Sequence, residues 1–203
     1  LRAMLGVAPD QLLVGTVSCL KPQKSPEDFV RVAALVCQRV PAARCVLVGD
    51  GALRPKVEAL LLEQGLQDRV TLLGWRRDVA ALLKAFDVFV LTSQWEGLPC
   101  AILEARASRI PIVATRVGGA AEAIVEGIQG TLCPAGDVRA MAERVCQILE
   151  DERFRVDLRT GTQELPEEFT IQETLKQYQS LYAYLLHATR PSEDVMKLQP
   201  NRL

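Results

Sequence analysis

The chain reads as an α/β protein, a Rossmann-like parallel sheet with helices on both faces. Two observations predict this. Six short apolar runs, rich in β-branched and aromatic residues, have strand length and are bounded by turn residues. Between them lie stretches with helical apolar spacing and helix-start signals. Strands alternating with helices at this spacing call for a parallel sheet buried on both faces. Ligands of such sheets bind at the carboxyl ends of the strands.

Leu12-Leu13-Val14-Gly15-Thr16-Val17 is the first strand. Ser25-Pro26-Glu27-Asp28 then offers an N-cap, a proline at the first helical position and acids in the first turn. The helix that follows turns Phe29, Val30, Ala33, Leu35, Val36 and Val40 toward a core. Arg44 to Gly49 is the second strand. Gly49-Asp50-Gly51 after it reads as a tight turn; as a phosphate loop it lacks the third glycine. A helix runs through Leu53, Val57, Leu60 and Leu61, and Asp68 to Gly74 is the third strand. Trp75-Arg76-Arg77-Asp78 forms the next loop, and a short helix from Val79 to Lys84 leads into the strand Asp87 to Thr92. The alternation continues to Glu126, and Gly130 to Cys133 is the last strand. Asp137 caps a helix with Val138, Met141, Val145, Ile148 and Leu149 on one face. A break is expected from Arg159 to Glu168. Thr170-Ile171-Gln172-Glu173 reads as a capping box opening a helix through Leu175, Tyr178, Leu181, Tyr182 and Leu185. The expected organisation is one domain over 1–186, its last helix at about 170–186, and a disordered polar tail over 187–203.

The 203 residues suffice for one sizeable core, and 49% hydrophobic with 24% charged residues is ordinary for a soluble protein. A net charge of −1 argues against a nucleic-acid partner. No apolar run approaches the ~20 residues of a membrane-spanning helix. The sequence opens at Leu1, directly in foldable chain, so a piece of a longer protein is expected. The six cysteines form no C-x-x-C unit and His187 is the only histidine, which leaves no support for a metal site. Most of the cysteines lie in apolar runs as small core residues, and reduced thiols fit a cytosolic protein.

The stretch Trp95 to Ala105 carries the chemistry. It follows a buried-strand run; Gly97 suggests a sharp turn and Pro99 the first position of a helix. The amides around Cys100 to Leu103 are then open helix-start donors, which make an anion site. Glu96 stands before them and Glu104 a turn or so into the helix. Carboxylates on both sides of a phosphate-binding helix start suit a ligand with hydroxyls on both sides of a phosphate, as in a nucleotide sugar. Taken alone, the same pair fits a solvated face and a cap.

The ordered set of motifs decides more. Glu96-Gly97-Leu98-Pro99 with Glu104, then Pro111-Ile112-Val113-Ala114-Thr115, Val117-Gly118-Gly119 and Glu122, then Gly127, Gly130-Thr131-Leu132 and Gly136-Asp137 follow one another. Over roughly Leu12 to Leu186 the chain resembles the retaining glycosyltransferases of family 4, in their C-terminal donor-binding domain of the GT-B fold. The resemblance implies that Glu96 contacts hydroxyls of the transferred sugar beside backbone of Gly97, Leu98 and Pro99. It implies that Glu104 takes the ribose hydroxyls, the amides of Ile102 and Leu103 the diphosphate, and backbone at Trp75 or Arg76 the base edge. Packing is the other reading of Trp75. Lys24 matches the family lysine on the phosphate, where its charge would stabilise the departing nucleoside diphosphate.

Three positions depart from the family pattern: Cys19 where a phosphate-binding Arg is usual, and Arg106 and Arg109 where small or apolar residues are, Gly in the case of Arg109. Lys21, two residues past Cys19, either replaces the lost cation or points to solvent. The function implied is sugar transfer from a nucleoside diphosphate to a sugar or lipid-linked acceptor, in polysaccharide or glycoconjugate synthesis. It implies front-face displacement with no metal and no cofactor, the nucleotide sugar being substrate. The partners are that donor and an N-terminal domain of the same protein, in the cytoplasm; contact with the inner face of a membrane stays open. Two other readings stand beside it: a sugar-nucleotide epimerase of the same fold, and a non-catalytic nucleotide-sugar-binding or assembly module, which Cys19 and Arg109 would suit.

Overall fold

The computed structural model describes residues 1–161 and 166–188, and the chain divides into two units, Leu1–Glu164 and Leu165–Leu203. The first unit alternates strands and helices as expected. In order these are β1 (Leu12–Val17), α1 (Pro26–Arg39), β2 (Ala43–Val48), α2 (Arg54–Glu63), β3 (Val70–Gly74) and α3 (Val79–Ala85). β4 (Val88–Leu91), α4 (Cys100–Ala107), β5 (Ile112–Thr115), α5 (Ala120–Ala123), β6 (Gly130–Cys133), α6 (Val138–Glu150) and α7 (Glu152–Gly161) follow. All strand pairs are parallel, and the sheet order is β3-β2-β1-β4-β5-β6. The chain winds outward from β1 to β3, returns to β1 with β4 and winds outward the other way. β1 and β4 are therefore neighbours whose following loops diverge, and the crevice of an open α/β sheet forms at such a reversal.

Side chains alternate across the sheet and feed two apolar layers. Val14, Leu47, Val90 and Val113 join Phe29, Val36, Met141 and Val145 from α1 and α6. Leu13, Val46, Phe89 and Ile112 join Leu82, Ile102 and Ala120 from α3, α4 and α5. Each such Val, Leu, Ile or Phe contributes about 1.5–3 kcal/mol on burial.

Local details differ from expectation. Leu35 is exposed, and Val32 and Cys37 take places in the core of α1. Ser25 (φ 42°) does not cap α1 with its side chain; the hydroxyl donates to Asp28 Oδ2 at 2.7 Å, while its carbonyl accepts from the Asp28 amide at 3.0 Å. Pro99 is the cap of α4, one residue before its first turn. Asp137 does cap α6, accepting from Ala140 N at 2.9 Å. The break expected from Arg159 is overtaken by α7, which runs to Gly161 and which the sequence reading lacked. Its start is set by Asp151, whose Oδ1 accepts from Phe154 N at 2.9 Å.

In the second unit a 3-10 turn, Glu167–Phe169, precedes α8 (Ile171–Ala188). Half of the expected capping box forms: Thr170 Oγ1 accepts from Glu173 N at 3.3 Å, but the Glu173 carboxylate turns to Lys176 Nζ at 3.1 Å. Leu175, Tyr178, Leu181, Tyr182 and Leu185 are exposed, with the two tyrosine rings 6.2 Å apart. From 189 onward the expected disordered tail lies outside the described residues.

Candidate functional site

The loops at the carboxyl edge of the sheet are tied to one another by their backbones. On the β1–β2 side, Ser18 N donates to Val48 O at 2.9 Å, Leu20 N to Asp50 O at 3.0 Å and Leu53 N to Leu20 O at 3.0 Å. This approach needs glycine: at Gly49 (φ 133°) an added Cβ would stand 1.9 Å from Ser18 O. On the β4–β5 side, Gly119 N donates to Gly97 O at 2.6 Å. At Gly118 (φ 46°) a Cβ would stand 1.9 Å from Glu96 O. Gly97 is different. The backbone bends at Gly97 and Leu98 as expected, but Gly97 does not have a positive φ and a Cβ on it would meet nothing within 4 Å, so neither backbone conformation nor a neighbour requires the glycine.

Across the switch point the loops after β1 and β4 are joined mainly by side chains. Gln94 N donates to Gln23 O at 2.7 Å, and Gln23 Nε2 donates back to Trp95 O at 2.9 Å. The Thr92 hydroxyl lies 3.0 Å from the carbonyls of both Lys24 and Ser25. At the centre Lys24 Nζ pairs with Glu96 Oε1, and the Glu96 side chain is only 6% exposed. The same carboxylate accepts from the Ser93 hydroxyl at 2.6 Å, and its second oxygen lies 3.4 Å from Gln23 Nε2. Ser93 is fully buried, and its carbonyl accepts from the Thr115 hydroxyl at 2.5 Å. A carboxylate held by this many donors is fixed in orientation.

Beside this cluster α4 begins. Ile102 N already donates to Pro99 O at 2.9 Å, whereas the amides of Cys100 and Ala101 have no protein acceptor among the described residues. Donors of this kind at a helix start favour an anion.

A second group of expected residues meets on the other side of the switch point. Cys19, Asp50, Trp75, Arg76 and Val79 line a cavity of about 260 Å³. Trp75 is 68% exposed, so it is not packed into a core among the described residues. Arg76 is held by Asp78 through contacts of 2.8 and 2.6 Å, and that bond keeps the Asp78 carboxyl below its usual range. Lys21 is exposed. Glu104 does not join the Lys24–Glu96 cluster; it lines a cavity of about 330 Å³ with Val79, Leu83 and Ser108. Val79 belongs to both cavities.

The departures from the family pattern have structural readings. Arg106 is buried and Nη1 donates to Ala123 O at 2.7 Å, fastening α4 to the end of α5. Arg109 adopts φ 54°, a glycine-like conformation. Sequence reasoning missed Gln23 and Ser93. Ser93, three positions before Glu96 on the same turn, was the available signal; Gln23 is 73 residues away and gave none.

Four thiols are buried, with Cys37 Sγ and Cys45 Sγ 4.0 Å apart, while Cys19 and Cys100 are exposed. The hydrogen bond from Cys45, aided by Arg69 and Arg44, brings the Cys37 thiol down to about 7 against its burial. Among the described residues no group of three or more His, Cys, Asp and Glu could hold a metal ion, and no helix is long and apolar enough to cross a membrane.

The chain is 31% identical over 90% of its length to N-acetyl-alpha-D-glucosaminyl L-malate synthase of Bacillus anthracis, covering 48% of that protein. It is 29% identical over 88% of its length to UDP-Gal:alpha-D-GlcNAc-diphosphoundecaprenol alpha-1,3-galactosyltransferase of Escherichia coli, covering 47% of that protein. It thus spans about half the length of these curated relatives. Among solved structures, Alr3699/HepE of Anabaena, crystallised with UDP and glucose, superimposes with a TM-score of 0.80 at 28% identity, over 88% of this chain and 50% of that one. Residues 1–165 match the family described as glycosyl transferases group 1, and the chain belongs to that family.

Proposed function

We propose that this chain is the donor-binding half of a retaining glycosyltransferase of family 4, with the GT-B fold. It takes a nucleoside-diphosphate sugar whose glycosyl group passes to a sugar or lipid-linked acceptor. The observation that carries the reading is the Glu96 carboxylate, buried at the switch point and held by Lys24, Ser93 and Gln23. A donor lying across the reversal would set its sugar hydroxyls against Glu96 and the backbone of Gly97 to Pro99. Its diphosphate would lie at Lys24 and the start of α4, its ribose at Glu104, its base beside Trp75 and Arg76. The shared wall at Val79 supports the last two as neighbours. The free space over Gly97 supports close approach of a ligand to its peptide.

UDP and glucose bound in the Anabaena relative support a nucleotide sugar as the ligand class. The reading asks for no metal and no cofactor, and leaves the acceptor to an N-terminal domain of a longer cytoplasmic protein. The exposed Cys19 in the site favours a second reading, a binding module without turnover. Calorimetry of the chain with UDP, GDP and ADP and with their sugars tests the ligand class. Binding of one diphosphate, weakened in Glu104→Ala by about ten- to a hundredfold, supports it. Failure of every nucleotide to bind would overturn it.

A further inference from the structure

Two buried thiols outside the donor cleft face one another. Cys37 stands near the end of α1 and Cys45 in β2, eight positions further on, and their sulfurs lie 4.0 Å apart. Cys37 Sγ also lies 3.9 Å from the carbonyl oxygen of Ala43, the first residue of β2. A cation gathers at the same carbonyl: Arg69 donates to it from Nη2 at 2.9 Å and from Nε at 3.3 Å, and to Pro41 O at 2.8 Å. The two thiols are unequal. The bond from Cys45, with the charges of Arg69 and Arg44, brings the Cys37 thiol down to about 7 against its burial. The same bond, together with burial, holds Cys45 well above its ordinary range. Cys37 is also the less enclosed, 7% exposed against 2% for Cys45. One thiol is thus the nucleophile nearer the surface and the other its partner behind it.

We propose that Cys37 and Cys45 are a peroxide-oxidisable dithiol, which closes to a disulfide fastening α1 to β2. The Cys37 thiolate attacks one oxygen of hydrogen peroxide and the O–O bond breaks. The departing hydroxide takes a proton and leaves as water, and Cys37 becomes a sulfenic acid. The Cys45 sulfur then attacks the Cys37 sulfur, the S–S bond forms and the S–O bond breaks. The second hydroxide takes the Cys45 proton and leaves as water. Two thiols lose two electrons, and one peroxide is reduced to two waters. The sulfurs must close from 4.0 Å to about 2 Å. Side-chain rotation of Cys37 supplies that movement, two residues before α1 ends at Arg39. The other two buried thiols differ, since burial raises both, Cys133 to about 11. This modification site stands apart from the donor cleft and does not depend on the proposed function.

The test uses the chain with Cys19→Ser and Cys100→Ser, which removes the two exposed thiols and leaves four of the six. The folded protein is treated with hydrogen peroxide, alkylated in denaturant and cut with trypsin, which cleaves at Arg39 and Arg44, between the two cysteines. The expected result is a fall from four alkylated thiols to two, with peptide 32–39 joined to peptide 45–56 by a bond that a thiol reductant opens. Cys45→Ser in the same background should carry a dimedone-trapped sulfenic acid at Cys37 and no joined peptide. Cys133 and Cys146 should stay alkylated throughout, which shows that the core has not opened. Loss of Cys133 or Cys146 at the same rate as Cys37 overturns the proposal. So does a Cys37 that stays unreacted, or that passes to sulfinic acid with no joined peptide while Cys45 is present.

Discussion

Lys24 and Glu96, 72 positions apart in the chain, neutralise one another where the winding of the sheet reverses. Neither is reached by much water: the side chains are 17% and 6% exposed. Removing one partner therefore strands a poorly solvated charge, which costs more than the pair contributes. Lys24→Met is expected to destabilise the chain by about 1–3 kcal/mol, and Lys24→Met/Glu96→Gln by less than the sum of the single changes. A double-mutant cycle by urea denaturation measures this. Additive losses would mean that the two groups do not interact in solution.

The same pairing means that the proposed phosphate cation is already occupied when the donor arrives. Diphosphate binding must then draw Lys24 from Glu96, and a neutral Gln at position 96 should make that easier. UDP is expected to bind Glu96→Gln about two- to tenfold more tightly than the parent, while Lys24→Ala binds it more weakly than Lys21→Ala does. Cys19→Arg should tighten binding about tenfold if its guanidinium reaches the phosphates. Asp50 lines the same cavity and competes for it. Titrations at one fixed salt concentration separate these effects, because exposed charges are screened. A Lys24→Ala variant with unaltered affinity removes the lysine from the phosphate site.

The strands were legible because each is a short apolar run closed by glycine or a polar turn, and α6 because Asp137 and its apolar face agree. α7 was not, since Leu158 is its only fully buried residue and a single position shows no period. At the site the sequence brought Glu96, Lys24, Trp75 and Cys19 forward one by one. It gave no sign that Lys24 and Glu96 pair, nor that Gln23 spans the crevice. Those relations arise from the crossover that makes β1 and β4 neighbours, and local patterns contain no information on strand order. At Gly97 the chain bends as the glycine suggests, but without a positive φ and with open space at the Cβ position, so the bend alone does not demand glycine there.

Arg109 offers a test of the backbone by itself. At φ 54° an L-residue carries a steric cost that glycine escapes, although glycine loses more freedom on folding. Arg109 is exposed and its amide donates to Arg106 O at 2.8 Å, a bond that glycine retains. Arg109→Gly should stabilise the chain by about 0.5–1 kcal/mol, and Arg109→Ala should not. The denaturation midpoint should rise with an unchanged slope. Equal midpoints for the Gly and Ala variants would place the arginine's contribution in its side chain.

The acid limb of stability should report on α1 and α2. Glu27 lies in the first turn of α1 and accepts from Lys56 of α2 at 2.8 Å. Burial raises its carboxyl pKa, but the Lys56 bond and charge, its own amide and Arg31 outweigh burial and leave it below 4.5. A carboxyl depressed in the folded state adds stability that is complete above the unfolded value and is lost as the pH falls through the folded one. Because Lys56 is two-thirds exposed, the pair is discounted to about 0.5–1 kcal/mol. Lys56→Met should therefore be less stable than the parent by that amount at pH 7, and the gap should close as the pH drops well below 4.5. Added salt should narrow it at pH 7, and Glu27→Gln in the Lys56→Met background should flatten the remaining slope. A gap between parent and Lys56→Met that stays constant from neutral to acid pH would assign the loss to the lysine's packed methylenes and not to the carboxylate.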